Sequence, residues 1–162
     1  MLTKTKPPYA TTEINADKSQ QAITGLLRKY GVSQINWHTD YERELIVLEF
    51  LIEYEKLGDK SIHRIAVRVT PPTFAMVRRT YNEKEGKYEK KALPNWAQSM
   101  RLLYFWIKVK LEAVSWGLNS VEKEFLSDII TKLPDGTVTT IWELIEKEVE
   151  GHTLMLEAGK GD

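Results

Sequence analysis

The sequence predicts an α+β domain: a three-stranded antiparallel sheet packed by one long helix, with shorter helices toward the N- and C-termini. Three observations carry this. Residues 45–54 and 62–69 both alternate apolar and polar positions with the period of two that marks a strand. Residues 95–116 are apolar around most of a helical circumference. The remaining helical patterns lie at the two ends, so the order reads helix, three strands, helices.

The chain has 162 residues, enough for one hydrophobic core and too few for two ordinary domains. We expect a flexible arm over 1–12, a single domain over 13–151 and a flexible tail over 152–162, where glycines accumulate. In 16–30, Ala22, Ile23, Leu26, Leu27 and Tyr30 recur at helical spacing. Asp17 is a candidate cap for its start, and Gly31 supplies the left-handed position that ends it. Residues 34–39 read as a short strand, followed by a polar turn through Glu44.

The next strand sets Ile46, Leu48, Phe50, Ile52 and Tyr54 on one face; Ile62–Val69 sets His63, Ile65, Val67 and Val69 on one of its own. Joined as a hairpin through Gly58 and Asp59, one register places Glu53 opposite Arg64 and Glu49 opposite Arg68. The same register pairs Ile52 with Ile65 and Phe50 with Val67, so charge and burial select one alignment. Pro71 and Pro72 end the third strand.

Beyond them, 73–80 reads as a short helix carrying Phe74, Met76 and Val77, and 82–91 as a charged loop around Gly86. Pro94 sits where a helix begins, and 95–116 runs about six turns to Gly117. One stripe of that helix is Trp96, Met100, Leu103, Ile107, Leu111 and Val114. A second is Leu102, Phe105, Trp106, Val109, Ala113 and Trp116, leaving Gln98, Arg101, Lys108 and Glu112 as a narrow polar face. A helix so apolar is buried in its domain or completed by a second chain. Asn119 or Ser120 caps a third helix with Phe125, Leu126, Ile129 and Ile130 inward. Pro134, Asp135 and Gly136 make a turn, and Thr140 with Glu143 forms a capping box for the last helix.

Composition restricts the chemistry. Cysteine is absent, which excludes disulfides, thiolate metal sites and a cysteine nucleophile and fits a reducing compartment, cytoplasmic or, for a virus, the host cytoplasm. The N-terminal residues lack the apolar core of a signal peptide, and no stretch is apolar over the roughly 20 residues of a membrane span. The expectation is a soluble protein that does not enter membranes. His38, His63 and His152 are not in metal-ligand spacing, and no nucleophile elbow or phosphate-binding glycine loop occurs, so no catalytic residue, metal or cofactor is assigned. His63, opposite Tyr54, reads as structural. Asp40, Glu42, Glu44, Glu49, Glu53 and Glu55 offer carboxylates for a two-metal nuclease, but Glu49 and Glu53 already have arginine partners in the hairpin.

Net charge is zero, yet it is unevenly distributed: residues 56–110 are strongly basic and 111–150 acidic. Within the basic part, Arg78, Arg79, Tyr81, Lys84, Lys87, Tyr88, Lys90, Lys91 and Trp96 interleave cations with rings. Single-stranded nucleic acid is held by this combination, cations following phosphates and rings stacking on bases. A solvated charged loop is the alternative reading of the same residues, and Trp96, Trp106 and Trp116, ten residues apart, also suit a core or helix interface.

Lys108-Val109-Lys110-Leu111-Glu112-Ala113-Val114, then Gly117, Ser120, Glu122, Glu124-Phe125-Leu126 and Leu133-Pro134-Asp135-Gly136-Thr137, resemble the signature of a family of small, mostly uncharacterised phage, prophage and mobile-element proteins. Arg101-Leu102-Leu103 and the helix ending at Tyr30-Gly31 are similar too, and the likeness spans residues 19–144. The segment 82–91 is longer here than in the family, and the Lys and Glu richness suits a thermophilic host. The resemblance implies a viral or mobile-element origin and transfers no catalytic residue. Together these readings predict a non-catalytic, phage-type protein that binds single-stranded DNA in replication or recombination. The alternative is a homo-oligomeric assembly module joined through the long helix.

Overall fold

The computed structural model describes residues 8–55, 58 and 60–149. The expected tail, the first seven residues of the arm and most of the turn through Gly58 and Asp59 lie outside them. The element order is α1 (Ala16–Lys29), β1 (Gln34–Asp40), β2 (Leu45–Glu55), β3 (Ile62–Val69), β4 (Ala75–Asn82), β5 (Lys87–Pro94), α2 (Trp96–Ser115), α3 (Val121–Glu124), a 3-10 turn (Leu126–Asp128), β6 (Ile130–Lys132), β7 (Val138–Thr140) and α4 (Ile141–Val149). The α+β class with antiparallel sheets stands.

The main sheet has the order β1-β2-β3, and its β2–β3 register pairs Glu53 with Arg64, Glu49 with Arg68, Ile52 with Ile65 and Phe50 with Val67. That is the alignment selected from sequence. Arg68 Nε donates to Glu49 Oε1 at 2.8 Å and Arg64 Nε lies 2.8 Å from Glu53 Oε1, both on the outer face. Leu48, Phe50 and Ile52 of β2 and Val67 and Val69 of β3 fill the inner face. Against them lie Ile23 and Leu27 of α1, Met100, Leu103, Ile107 and Leu111 of α2, and Val121 and Phe125 beyond. Phe125 meets Phe50 edge to face, with ring centroids 5.8 Å apart. α1 and α2 pack on each other and both supply the core, so the sheet is not covered by one helix alone.

Several expectations are corrected. The three-stranded sheet is not the whole β structure, because β4–β5 and β6–β7 form two further two-stranded sheets. Residues 73–80 are not a helix, and 82–91 is not a loop. They are the arms and turn of one hairpin, with Asn82 opposite Lys87 and Gly86 at φ 63° closing the turn. The period of two is invisible there because both faces are polar and exposed, so no apolar alternation marks it. Pro94 ends β5 rather than opening α2, a place open to proline because each strand of a two-stranded sheet has a free edge. Asn95 caps α2, and Asn15, not Asp17, caps α1 by accepting from Lys18 N at 2.8 Å.

The third helix is a single turn capped by Ser120. Its expected continuation becomes the 3-10 turn and β6, whose neighbour Ile129 bridges Val67 of β3. Tertiary pairing with the sheet edge overrides local helical spacing there. Gln98, placed on the polar face of the long helix, is buried: it donates to the Pro8 carbonyl at 2.9 Å, while Asn95 donates to the Ala10 carbonyl at 3.4 Å. The α4 capping box forms as read, with Glu143 N donating to Thr140 Oγ1 (3.3 Å) and Thr140 N to Glu143 Oε2 (2.7 Å). Among the described residues no helix is long and apolar enough to cross a membrane.

Candidate nucleic-acid interface

Eight of the nine residues singled out from sequence fall on the β4–β5 hairpin. The hairpin is rooted in the domain by Phe74, Met76, Leu93 and Pro94, all half-buried, and by Asn95 N donating to the Phe74 carbonyl at 2.6 Å. Beyond that root nearly every residue from Val77 to Ala92 is exposed, and the two strands pack chiefly on each other. A lone two-stranded hairpin has little stability of its own. The arm therefore depends on its root and its ladder, and presents almost all of its side chains to solvent.

Alternation sorts those side chains onto two faces. Tyr81 lies opposite Tyr88, with ring centroids 5.2 Å apart at 60°, and the rings are 52% and 67% exposed. Two residues toward the root on the same face, Arg79 lies opposite Lys90. The other face carries Arg78 opposite Lys91, Thr80 opposite Glu89 and Asn82 opposite Lys87. Lys84 stands in the turn, its backbone N–H donating to Asn82 Oδ1 at 3.1 Å. Around the tip, Thr80, Asn82, Lys84 and Lys91 help line a shallow depression of about 640 Å³.

Six cations and three carboxylates occupy the segment 75–94. Lys87 is neutralised locally, its ammonium 2.5 Å from Glu85 and 3.7 Å from Glu89. Arg78, Arg79, Lys84, Lys90 and Lys91 form no ion pair with any described carboxylate. Like charges face each other across the ladder at Arg79 and Lys90 and at Arg78 and Lys91, an arrangement that opposes pairing of the strands. The acidic α4 packs against β7 and the 3-10 turn.

Trp96 is not part of this surface. It is the first residue of α2 and lines a separate cleft of about 330 Å³ with Asp17, Asp40, Tyr41 and Met100. The two histidines among the described residues are engaged elsewhere. His38 Nε2 lies 3.5 Å from Glu49 Oε2, and His63 stacks on Tyr54 (5.7 Å) with Ser61 Oγ 2.8 Å from its Nε2. Burial, helped by a hydrogen bond and the charge of Glu122, pushes the Tyr54 phenol up to about 12. Among the described residues no three His, Asp or Glu side chains converge as a metal site.

A second feature escaped the sequence reading. Val69, Thr70, Pro72, Leu102, Leu103, Trp106 and Asp128 line a mostly apolar cavity of about 380 Å³. Burial raises the Asp128 carboxyl above its usual range, against the opposing influence of a Ser127 hydrogen bond and the Lys110 charge. Its only legible sign was Trp106 and Lys110 one helical turn apart, and the Lys110 ammonium does sit 4.5 Å from the centre of the Trp106 ring. Comparison with protein-family models, with curated proteins and with solved structures gives no match.

Proposed function

We propose that this chain is a non-catalytic nucleic-acid-binding protein of phage type, working in the host cytoplasm on single-stranded DNA in replication or recombination. The observation that carries the reading is the exposed Tyr81–Tyr88 pair beside Arg79 and Lys90, on an arm whose other cations are also largely unneutralised. Unpaired bases offer faces for the tyrosines to stack on, while phosphates satisfy cations that pair with no described carboxylate. Stacking needs an accessible base, which favours a single strand over a duplex. The resemblance of 108–137 to mobile-element proteins supports the biological setting.

The test is a fluorescence-anisotropy titration of the full chain into labelled single-stranded and duplex oligonucleotides at low and moderate salt. The reading predicts salt-sensitive binding stronger for the single strand and weakened by Tyr81→Ala or Tyr88→Ala. Each ring is worth about 1 to 3 kcal/mol where a base stacks on it. Binding that prefers duplex and ignores both tyrosines contradicts the single-strand reading; no binding at low salt contradicts the whole of it.

A further inference from the structure

We propose that two copies of this chain associate through the outer side of α2, antiparallel about a twofold axis between Val109 and Ala113, with Trp116 of each copy entering the cavity beside Trp106 of the other. The helix has two apolar sides. Ile107 and Leu111 are buried in the core, yet Val109, Ala113 and Trp116, with Trp106 at the margin against Phe125, form a stripe along the more exposed side. Trp106 is 39% exposed, Val109 62% and Trp116 69%. Single exposed apolar residues need no partner, but a stripe at spacings of three, four and three is the seam by which helices pair.

Three features select a second copy as the occupant. The spacing reads the same in both directions, so an antiparallel copy sets Trp106 opposite Trp116 and Val109 opposite Ala113 twice over, as an isologous interface requires. The polar edge of the stripe is self-complementary in charge. Lys108 and Glu112, 3.6 Å apart within one helix, are brought by the same axis close to Glu112 and Lys108 of the second copy. Finally, the cavity of about 380 Å³ opens at Trp106, where the antiparallel alignment delivers an indole. Its walls are mostly apolar, and Asp128 provides an acceptor for an indole N–H.

The receiving side is already ordered. Lys110 lies over the Trp106 ring, pairs with Glu124 at 3.5 Å and donates to the Glu124 carbonyl, while Phe125 meets Trp106 edge to face at 6.3 Å. A fixed ring loses little freedom on association. Among the described residues of the N-terminal segment, Tyr9 stacks on Phe105 at 5.1 Å, next to this side.

Sedimentation equilibrium of the full chain, without nucleic acid, tests the proposal independently of the hairpin's role. The wild type is expected to be a dimer at tens of micromolar. Val109→Lys places a charge in both halves of a symmetric seam, and at about tenfold per copy weakens the dimer about 100-fold. Trp116→Ala also weakens it, and because that ring is exposed in the single chain, neither variant alters the far-ultraviolet circular dichroism. A double Val109→Cys and Ala113→Cys variant, in a chain with no other cysteine, is expected to oxidise to a covalent dimer. A wild type that stays monomeric at those concentrations overturns the proposal, whether the stripe is then covered by the chain's own N-terminal residues or by a foreign partner; so does a dimer unaffected by both single substitutions.

Discussion

Replacing Arg79 and Lys90 together by alanine separates electrostatic attraction from specific docking on the hairpin. The two side chains face each other on the face that carries the tyrosine pair, and neither meets a described carboxylate. Removing them abolishes a like-charge juxtaposition, so the ladder is not weakened and the variant folds. With five cations on the arm that pair with no described carboxylate, and about 0.7 counterions released per phosphate contact on a single strand, the logarithmic salt slope of the wild type is at most about −3.5. Two lost contacts bring it to about −2.1. Between 50 and 200 mM salt, affinity then falls about 20-fold rather than about 100-fold. Anisotropy titrations across that range measure the slope directly. The matched control is Arg78→Ala with Lys91→Ala, the same charge change on the opposite face. A strand tracking the tyrosines feels the first pair more than the second. Equal effects of the two pairs, or none from either, refute the assignment of the face.

Further outcomes follow from the packed domain. Asp128→Asn stabilises the protein at neutral pH, because the fold raises this carboxyl's pKa by burying it and so disfavours its charge. With the folded value above the unfolded one, the wild-type penalty is absent below about pH 3.8 and grows as pH rises; urea melts at acid and neutral pH detect the difference. Glu143→Ala removes the acceptor for Thr139 Oγ1 and Thr140 N and costs about 1 kcal/mol at neutral pH. Those hydrogen bonds lower the Glu143 pKa, so its contribution is present above about pH 4.5 and is lost as pH falls through the depressed folded value. Leu48→Ala, at a fully buried position in the middle strand of the main sheet, costs about 2 to 5 kcal/mol in a urea melt.

What could be read from the sequence follows from burial. The β2–β3 register was legible because Leu48, Phe50 and Val67 had to point inward while Glu49 met Arg68 outside, so two independent patterns chose one alignment. The long helix, its terminating Gly117 and the Thr140–Glu143 box were legible for equally local reasons. The β4–β5 hairpin was not. Its ladder runs through Arg78, Arg79, Lys90 and Lys91, exposed on both faces, where burial imprints no period. The cations and rings of this segment were therefore readable while their arrangement was not. Only the ladder shows Tyr81 facing Tyr88 and Arg79 facing Lys90, and only the start of α2 shows that Trp96 belongs to another cleft. Gln98 was misplaced for a related reason: its partner carbonyl at Pro8 is 90 residues away, and helical spacing carries no information about it.

The central claim is that Ala75–Asn82 and Lys87–Pro94 form the surface that meets nucleic acid. Hydrogen–deuterium exchange of the full chain with and without a single-stranded oligonucleotide tests it most directly, because a hairpin exposed on both faces exchanges quickly when free. The account predicts that the oligonucleotide slows exchange in the two strands and their turn, with little change in the core strands β2 and β3. Protection appearing on another surface while the hairpin stays unprotected contradicts it.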